Sequence, residues 1–446
     1  MNNNLTKELI RLAIPLIFSN LAYTFLGAID TLFLGRVSTI SLGAVGLAHM
    51  MFLTISLLLR GTISGTTVFV SRMYGAGDRP GAGRYLQYFL SLSLLLSPLV
   101  LALPWIFRLY LGLLAPAEAI AREASIYTSI RLLELPFSMM NTAIIGFMVG
   151  TGNSRAPMLL AWSAVLVNVL ANYVLIFGHL GFPPLGIAGA AWGTVLAVLV
   201  QLFIATLVLS RYYAGEYLLR RWQFPSWKSL GEMIKIGFPI GITDGVELAA
   251  FSTFFGLIAR LGTVELAASQ VANQIGSIAF MPGFALGSAT GALVGQYMGS
   301  RRLVLAKSVG YRGTLLGAVT MGGVGFFFWL FAEHLGRLFT DDPAVLALTA
   351  VLLRIMAIYQ LFDGVNIVAR GALNGAGDTR FTMVVTVVSS WLIFIPSVYL
   401  LTFTLDKGLV GAWIGSIIYL LAMAGLFFWR FHSGRWQRIS LRNGVG

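Results

Sequence analysis

Residues 137–177 read FSMMNTAIIGFMVGTGNSRAPMLLAWSAVLVNVLANYVLIF, two apolar runs parted by Gly150-Thr151-Gly152-Asn153-Ser154-Arg155. The glycines and small polar residues mark a turn. The runs on either side belong to stretches long enough to cross a bilayer, which takes about 20 helical residues. The same turn returns as Gly375-Ala376-Gly377-Asp378-Thr379-Arg380, again between apolar runs. A pair of crossings that recurs after about 224 residues marks an internal repeat, and it decides the fold. The chain reads as an all-α polytopic membrane protein built from two similar halves.

Outward from that turn, apolar stretches fall near 8–34, 41–71, 85–110, 122–150, 156–178, 186–211, 230–258, 266–296, 305–332, 344–374, 379–404 and 409–431. They predict twelve transmembrane helices in two pseudo-symmetric six-helix lobes, 1–211 and 230–446, joined by a basic connector at 212–229. Composition agrees. Hydrophobic residues make up 57% of the 446 positions and charged residues 11%, where soluble domains carry about 25% charged residues. No polar stretch longer than the connector remains to build a soluble domain. Polar Met1–Glu8 leads straight into a long apolar helix carrying Asp30, unlike a cleavable signal peptide. Cysteine is absent, which excludes disulfides and thiolate metal sites.

A formal charge of +13 would suggest nucleic acid in a soluble chain, but here loop position accounts for it and no nucleic-acid partner is expected. Of the 30 Lys and Arg residues, Arg36, Arg108, Arg122, Arg260, Arg337 and Lys407 fall on one side. Arg60, Arg131 and Arg354 fall within helices, and the rest, Arg370 and Arg442 among them, are assigned to the other side. The positive-inside rule then places both termini in the cytoplasm of a bacterial inner (plasma) membrane. Further matches support the repeat: Ile14-Pro15 with Phe238-Pro239, Arg36 with Arg260, and Leu42 and Ala44 with Leu266 and Ala268. Gly186-Ile187-Ala188-Gly189-Ala190 likewise matches Gly408-Leu409-Val410-Gly411-Ala412.

An ionised group at the centre of a membrane helix costs about 2.5–3.5 kcal/mol, so each one needs a reason. Asp30, Glu134, Asp244, Glu247 and Asp363 lie inside the predicted helices. Arg131 stands one turn from Glu134, an i,i+3 pair read as structural. The other four acids have no basic residue at helical spacing. At the repeat shift Asp30 falls on Phe254, Asp244 on Asn20, Glu247 on Tyr23 and Asp363 on Ser138. Scaffold glycines recur across the halves and these acids do not, so they serve something other than the fold. The competing reading is acids hydrogen-bonded to hydroxyls or backbone in helix packing.

Asp244 and Glu247 share one face of the seventh helix, and Asp363 from the tenth would complete an acidic cluster. Burial and mutual repulsion suit such a cluster to trading a proton for another cation. The same oxygens of Glu247 and Asp363, with Tyr359 one turn before Asp363, could instead ligate Na⁺. The coupling ion stays open between Na⁺ and H⁺. Asn168 and Asn172, four apart on the fifth helix, make either a polar cavity wall or an interhelical hydrogen bond. Glycines at 283, 287, 291, 295 and 299 permit close helix packing. Arg60 reads as a snorkelling or salt-bridging residue. The four histidines show no metal-ligand spacing and no Walker-type loop occurs, so neither a metalloenzyme nor an ATPase is indicated. No cofactor beyond a coupling ion is expected.

The chain resembles the multidrug and toxic compound extrusion (MATE) family over nearly its whole length. The resemblance rests on Ala28-Ile29-Asp30-Thr31, Gly35-Arg36, Asn168 with Asn172-Tyr173, Glu247, Gln270-Val271-Ala272 and Tyr359-Gln360-Leu361-Phe362-Asp363. The NorM-like branch fits best. The resemblance implies a cation-coupled antiporter, using Na⁺ or H⁺, that exports organic cations and amphipathic drugs by alternating access. It implies that Asp30 acts in the first lobe and that Glu247, Asp363 and Tyr359 act in cation coupling in the second. The Asp that the DinF-like branch commonly places at position 172 is replaced here by Asn172, and Asp244 matches no family position. A monomer working in membrane lipid on small-molecule substrates is expected. The alternative is a flippase for lipid-linked oligosaccharide or another lipid of the same broader superfamily. An anionic lipid pyrophosphate would favour a cavity rich in Arg and Lys, whereas the intramembrane groups here are mostly acids. A membrane-embedded enzyme would need a clustered nucleophile, base or metal site, and a channel has less use for two lobes.

Overall fold

The computed structural model describes residues 3–35, 37, 39–114 and 117–439. Arg36 and Arg442, and the side chain of Leu42, lie outside the described residues. In chain order the helices are α1 (Asn3–Gly35), α2 (Thr39–Ser64), α3 (Thr66–Gly75), α4 (Arg79–Leu114), α5 (Glu118–Leu132), α6 (Leu135–Gly150), α7 (Arg155–Phe177) and α8 (Ile187–Tyr212). There follow α9 (Trp227–Ala259), α10 (Thr263–Gly299), α11 (Leu303–Arg337), α12 (Pro343–Gly375), α13 (Thr379–Val388), α14 (Ile395–Tyr399) and α15 (Gly408–His432). Among the described residues ten stretches are long and apolar enough to cross a membrane, and twelve when each of two bent pairs counts as one span. The expected twelve-span architecture is therefore present, with bends that periodicity did not announce.

Both bends are proline-dependent. The helix α4 turns by 44° between Val100 and Ala102, flanked by Pro98 and Pro104, and a proline inside a helix removes one backbone donor and crowds the preceding turn. The α5–α6 pair bends by 44° where Pro136 opens the first turn of α6. Around Pro396 the eleventh span widens into π-turns at Ser389–Phe394 and Leu400–Thr404.

The repeated turn has the same backbone in both halves, with Gly152 at φ 87° and Gly377 at φ 83°, a left-handed conformation that glycine adopts without strain. Each turn is clasped to the end of its half's last helix. In the first half Asn153 donates to the Tyr213 hydroxyl at 2.8 Å. In the second, Arg430 Nε donates to Asp378 at 2.7 Å. One geometry is fastened by two chemistries.

Contacts gather the chain into two compact units, Phe18–Gly241 and Met1–Ile17 with Ile242–Gly446. Neither boundary falls in the connector. Both run through a helix, just past the repeat-matched Pro15 of α1 and Pro239 of α9, where a missing backbone bond lets a helix change its neighbours. In the Phe18–Gly241 unit the first half of α9 presses on α2–α3: a Cβ on Gly65 would stand 3.2 Å from the Gly237 Cα. In the other unit the first half of α1 is held by Tyr297, which donates to Glu8 at 2.8 Å, and by Arg312, which donates to Thr6 at 3.1 Å. The connector belongs to the Phe18–Gly241 unit. Gln87 donates to the carbonyls of Leu219 and Arg221 at 3.2 and 3.1 Å and accepts from the Gln223 N–H at 3.1 Å.

The glycine stripe of α10 packs against α12, as its spacing suggested. A Cβ on Gly291 would lie 2.6 Å from the Gly371 carbonyl, and on the next helix a Cβ on Gly317 would lie 2.8 Å from that of Gly364. Two helices thus press their backbones against α12, the helix that carries Gln360, Asp363, Asn366 and Arg370.

Candidate functional site

In the Phe18–Gly241 unit three helices converge on Asp30. From α7, Asn172 donates its amide to the Asp30 carboxylate and, at 3.1 Å, to Asn168. Asn168 donates in turn to Thr194 of α8 at 3.3 Å, and the Thr194 hydroxyl stands 3.5 Å from the second Asp30 oxygen. Asn168 and Asn172 are fully buried, and Asp30 is half-buried. The local cause is visible: a Cβ on Gly193 would strike the Asn172 side-chain oxygen, so glycine there makes room for the amide. Both amides serve as interhelical hydrogen bonds with an acid at their end.

The Arg131–Glu134 pair is formed at 3.1 Å, and the Arg131 guanidinium lies 4.4 Å over the Phe52 ring. This agrees with its reading as structural. Arg60 donates to Thr142 at 3.3 Å.

In the unit of Ile242–Gly446, Glu247 of α9 accepts from Arg370 of α12 at 2.7 Å. Its other oxygen faces the Tyr419 hydroxyl of α15 at 3.4 Å, which also stands 3.3 Å from Ser390. This corrects one sequence reading, since Arg370 is not a loop residue, being 9% exposed within α12; it also gives Glu247 a basic partner from another helix, where α9 itself offers none at helical spacing. Asp363 is buried and accepts from Asn366 at 3.1 Å. Tyr359 stacks on Trp413 with centroids 6.4 Å apart, and Trp413 donates to Ser269 at 3.2 Å. Asp244, one turn before Glu247, lies within electrostatic range of Glu247 and Arg370.

Along α12 the residues Gln360, Asp363, Asn366 and Arg370 recur every three or four positions, one polar stripe on an otherwise apolar span. Both polar atoms of the Gln360 amide and the side-chain oxygen of Asn366 are buried without a hydrogen-bond partner, and such atoms mark places where a water or ion can bind. Among the described residues no three His, Asp or Glu side chains converge to hold a metal ion. Any Na⁺ here would therefore need hydroxyl and amide oxygens as well as carboxylates. Sequence reasoning missed Arg370, Asn366, Thr194 and Tyr419. For Arg370 the signal was present, since it stands two helical turns after Asp363.

The asymmetry of the acids extends to their surroundings. Phe254, the repeat counterpart of Asp30, is buried among rings, with its centroid 5.3 Å from Phe394 and 5.6 Å from Trp413.

Comparison with known proteins places this geometry. The MatE family model matches residues 15–174 and 239–400, one segment in each half. The multidrug resistance protein PmpM of Pseudomonas aeruginosa is 32% identical over 94% of this chain and 89% of its own. The probable multidrug resistance protein NorM of Pseudomonas putida is 34% identical over 95% and 94%, and that of Thermotoga maritima 30% over 97% and 93%. A solved structure of an outward-facing multidrug resistance MATE family transporter of the MOP superfamily superposes with a TM-score of 0.89 at 22% identity. It covers 96% of both chains and shows the shared fold.

Proposed function

The chain belongs to the MatE family, and we propose that it is a cation-coupled antiporter that exports organic cations and amphipathic drugs by alternating access. One observation carries this reading. Each compact unit holds, within a membrane span, a carboxylate satisfied by neutral donors: Asp30 by Asn172 and Asp363 by Asn366. An acid in hydrocarbon that is bound only to neutral donors keeps its negative charge available to a visiting cation. The multidrug resistance names of the relatives fit organic cations as cargo.

Exchange requires a site whose preference differs between two states. Drug and coupling ion that compete for the same carboxylates meet that need. Asp30 and Asp363 are the exchanging groups, Asn168 and Asn172 orient Asp30, and Asp244 adds negative charge beside Glu247. The coupling ion is H⁺ or Na⁺, and Glu247, Asp363 and Tyr359 are the residues that would hold Na⁺. The protein works as a monomer in a bacterial inner membrane with both termini cytoplasmic.

The test is ethidium accumulation in cells. Cells expressing the chain should retain less ethidium than cells carrying an empty vector, and Asp30→Asn or Asp363→Asn should restore retention. Equal retention with confirmed membrane expression counts against drug export.

A further inference from the structure

The carboxylates of the second unit are unequally engaged. Asp363 has an amide donor, whereas both oxygens of Glu247 face donors, the Arg370 guanidinium at 2.7 Å and the Tyr419 hydroxyl at 3.4 Å. Guanidinium stays charged at every physiological pH. The charged and titratable groups of this neighbourhood are Asp244 and Glu247 from α9, Tyr359, Asp363 and Arg370 from α12, and Tyr419 from α15. The other two helices against α12 approach it through glycines, Gly287 and Gly291 of α10 and Gly317 of α11.

A metal cation arriving at Glu247 must either displace Arg370 and Tyr419 or share the carboxylate with the guanidinium at ion-pair distance. In the first case it would sit beside a guanidinium that has lost its contact counter-charge inside an apolar span, with the more distant Asp244 as its nearest remaining acid on α9. Leaving one member of a buried ion pair unpaired is the most costly arrangement open to it, and the like charges repel strongly where water does not screen them. We propose that Arg370 is a resident counter-cation that excludes Na⁺ from Glu247, so that a Na⁺ gradient alone does not drive this transporter. Arg370 acts through Glu247 and is a positioning residue that sets ion selectivity. The inference deepens the antiport reading and rests on it.

The experiment is ethidium transport in proteoliposomes, energised in separate arms by a pH gradient and by a Na⁺ gradient against choline. The wild type should respond to the pH gradient and show no Na⁺-driven transport. Arg370→Met, which keeps the side chain's apolar stem, should raise the ratio of Na⁺-driven to pH-driven rate by at least about tenfold, because a full positive charge at ion-pair distance has gone. Arg370→Lys, which keeps the charge, should hold the wild-type ratio. Na⁺-driven transport in the wild type overturns the inference and leaves antiport standing, as does an unchanged ratio in Arg370→Met or a raised one in Arg370→Lys. Failure of both gradients in the wild type overturns the antiport reading itself, and the inference with it. Should Arg370→Met not fold, the wild type still decides: its Tm in detergent should be the same in NaCl and choline chloride, and a Na⁺-specific rise overturns the inference.

Discussion

At the scale of single residues, the intramembrane acids divide by what holds them, and the division predicts different mutant behaviour. Glu247 is paired to a buried guanidinium, so Glu247→Gln leaves Arg370 without its ion-pair partner. Breaking a buried pair costs about 3–5 kcal/mol, and the lower end applies because Glu247 keeps 21% of its side-chain exposure. Its Tm in detergent should fall by several degrees, and Glu247→Gln with Arg370→Gln should recover most of the loss. Asp363→Asn is different: the new amide oxygen can still accept from Asn366, so stability should change by less than about 1 kcal/mol while ethidium export is lost. Equal Tm losses in Asp363→Asn and Glu247→Gln would assign Asp363 to folding instead. The acids were legible in the sequence because a charge inside an apolar run is conspicuous against the cost of burying it. Arg370 was overlooked, although it stands two helical turns after Asp363, because it lies near the end of its span, where counting charges by loop places it in solvent. The partner of Glu247 comes from another helix, and no periodicity within α9 could reveal it.

At the scale of helices, the spans themselves were readable because bilayer thickness fixes their length, and the α10 stripe was readable because small residues at four-residue spacing make one close-packing face. What lay beyond reach was which partner each face would meet. Proline positions also did not say which helices bend, since α1 and α9 carry prolines just as α4 does. Two glycines now make the helix contacts testable. Gly291→Ala would place a Cβ 2.6 Å from the Gly371 carbonyl, a rigid neighbour that cannot yield. Overpacking of this kind costs about 1–3 kcal/mol, to be read as a lowered Tm in detergent with ethidium export reduced in proportion. Gly193→Ala acts on a side chain instead. It pushes Asn172 away from Asp30, so export should fall while Tm changes little. A large Tm loss with intact export per folded molecule would make the amide chain of α7 and α8 a packing feature.

For the whole molecule, the repeat carried the architecture, because one turn recurring between apolar runs marks two halves of like build. It did not reveal that the compact units divide just past Pro15 and Pro239, since a repeat records similarity and not which half-helix packs where. Orientation across the membrane rests on the basic residues alone, and the absence of cysteine makes it directly measurable. Ser226 in the connector and Lys407 before α15 are both exposed and are separated by five spans, so the positive-inside assignment puts them on opposite sides. A single Ser226→Cys should react with a membrane-impermeant maleimide in inside-out vesicles and stay unlabelled in intact spheroplasts. A single Lys407→Cys should show the reverse. Both substitutions sit on exposed surface away from the acids, where changes usually stay within about 0.5 kcal/mol, so labelling should report topology and not damage. The reverse pattern at both sites would invert the membrane orientation, and labelling of both from one face would break the odd count of spans between them.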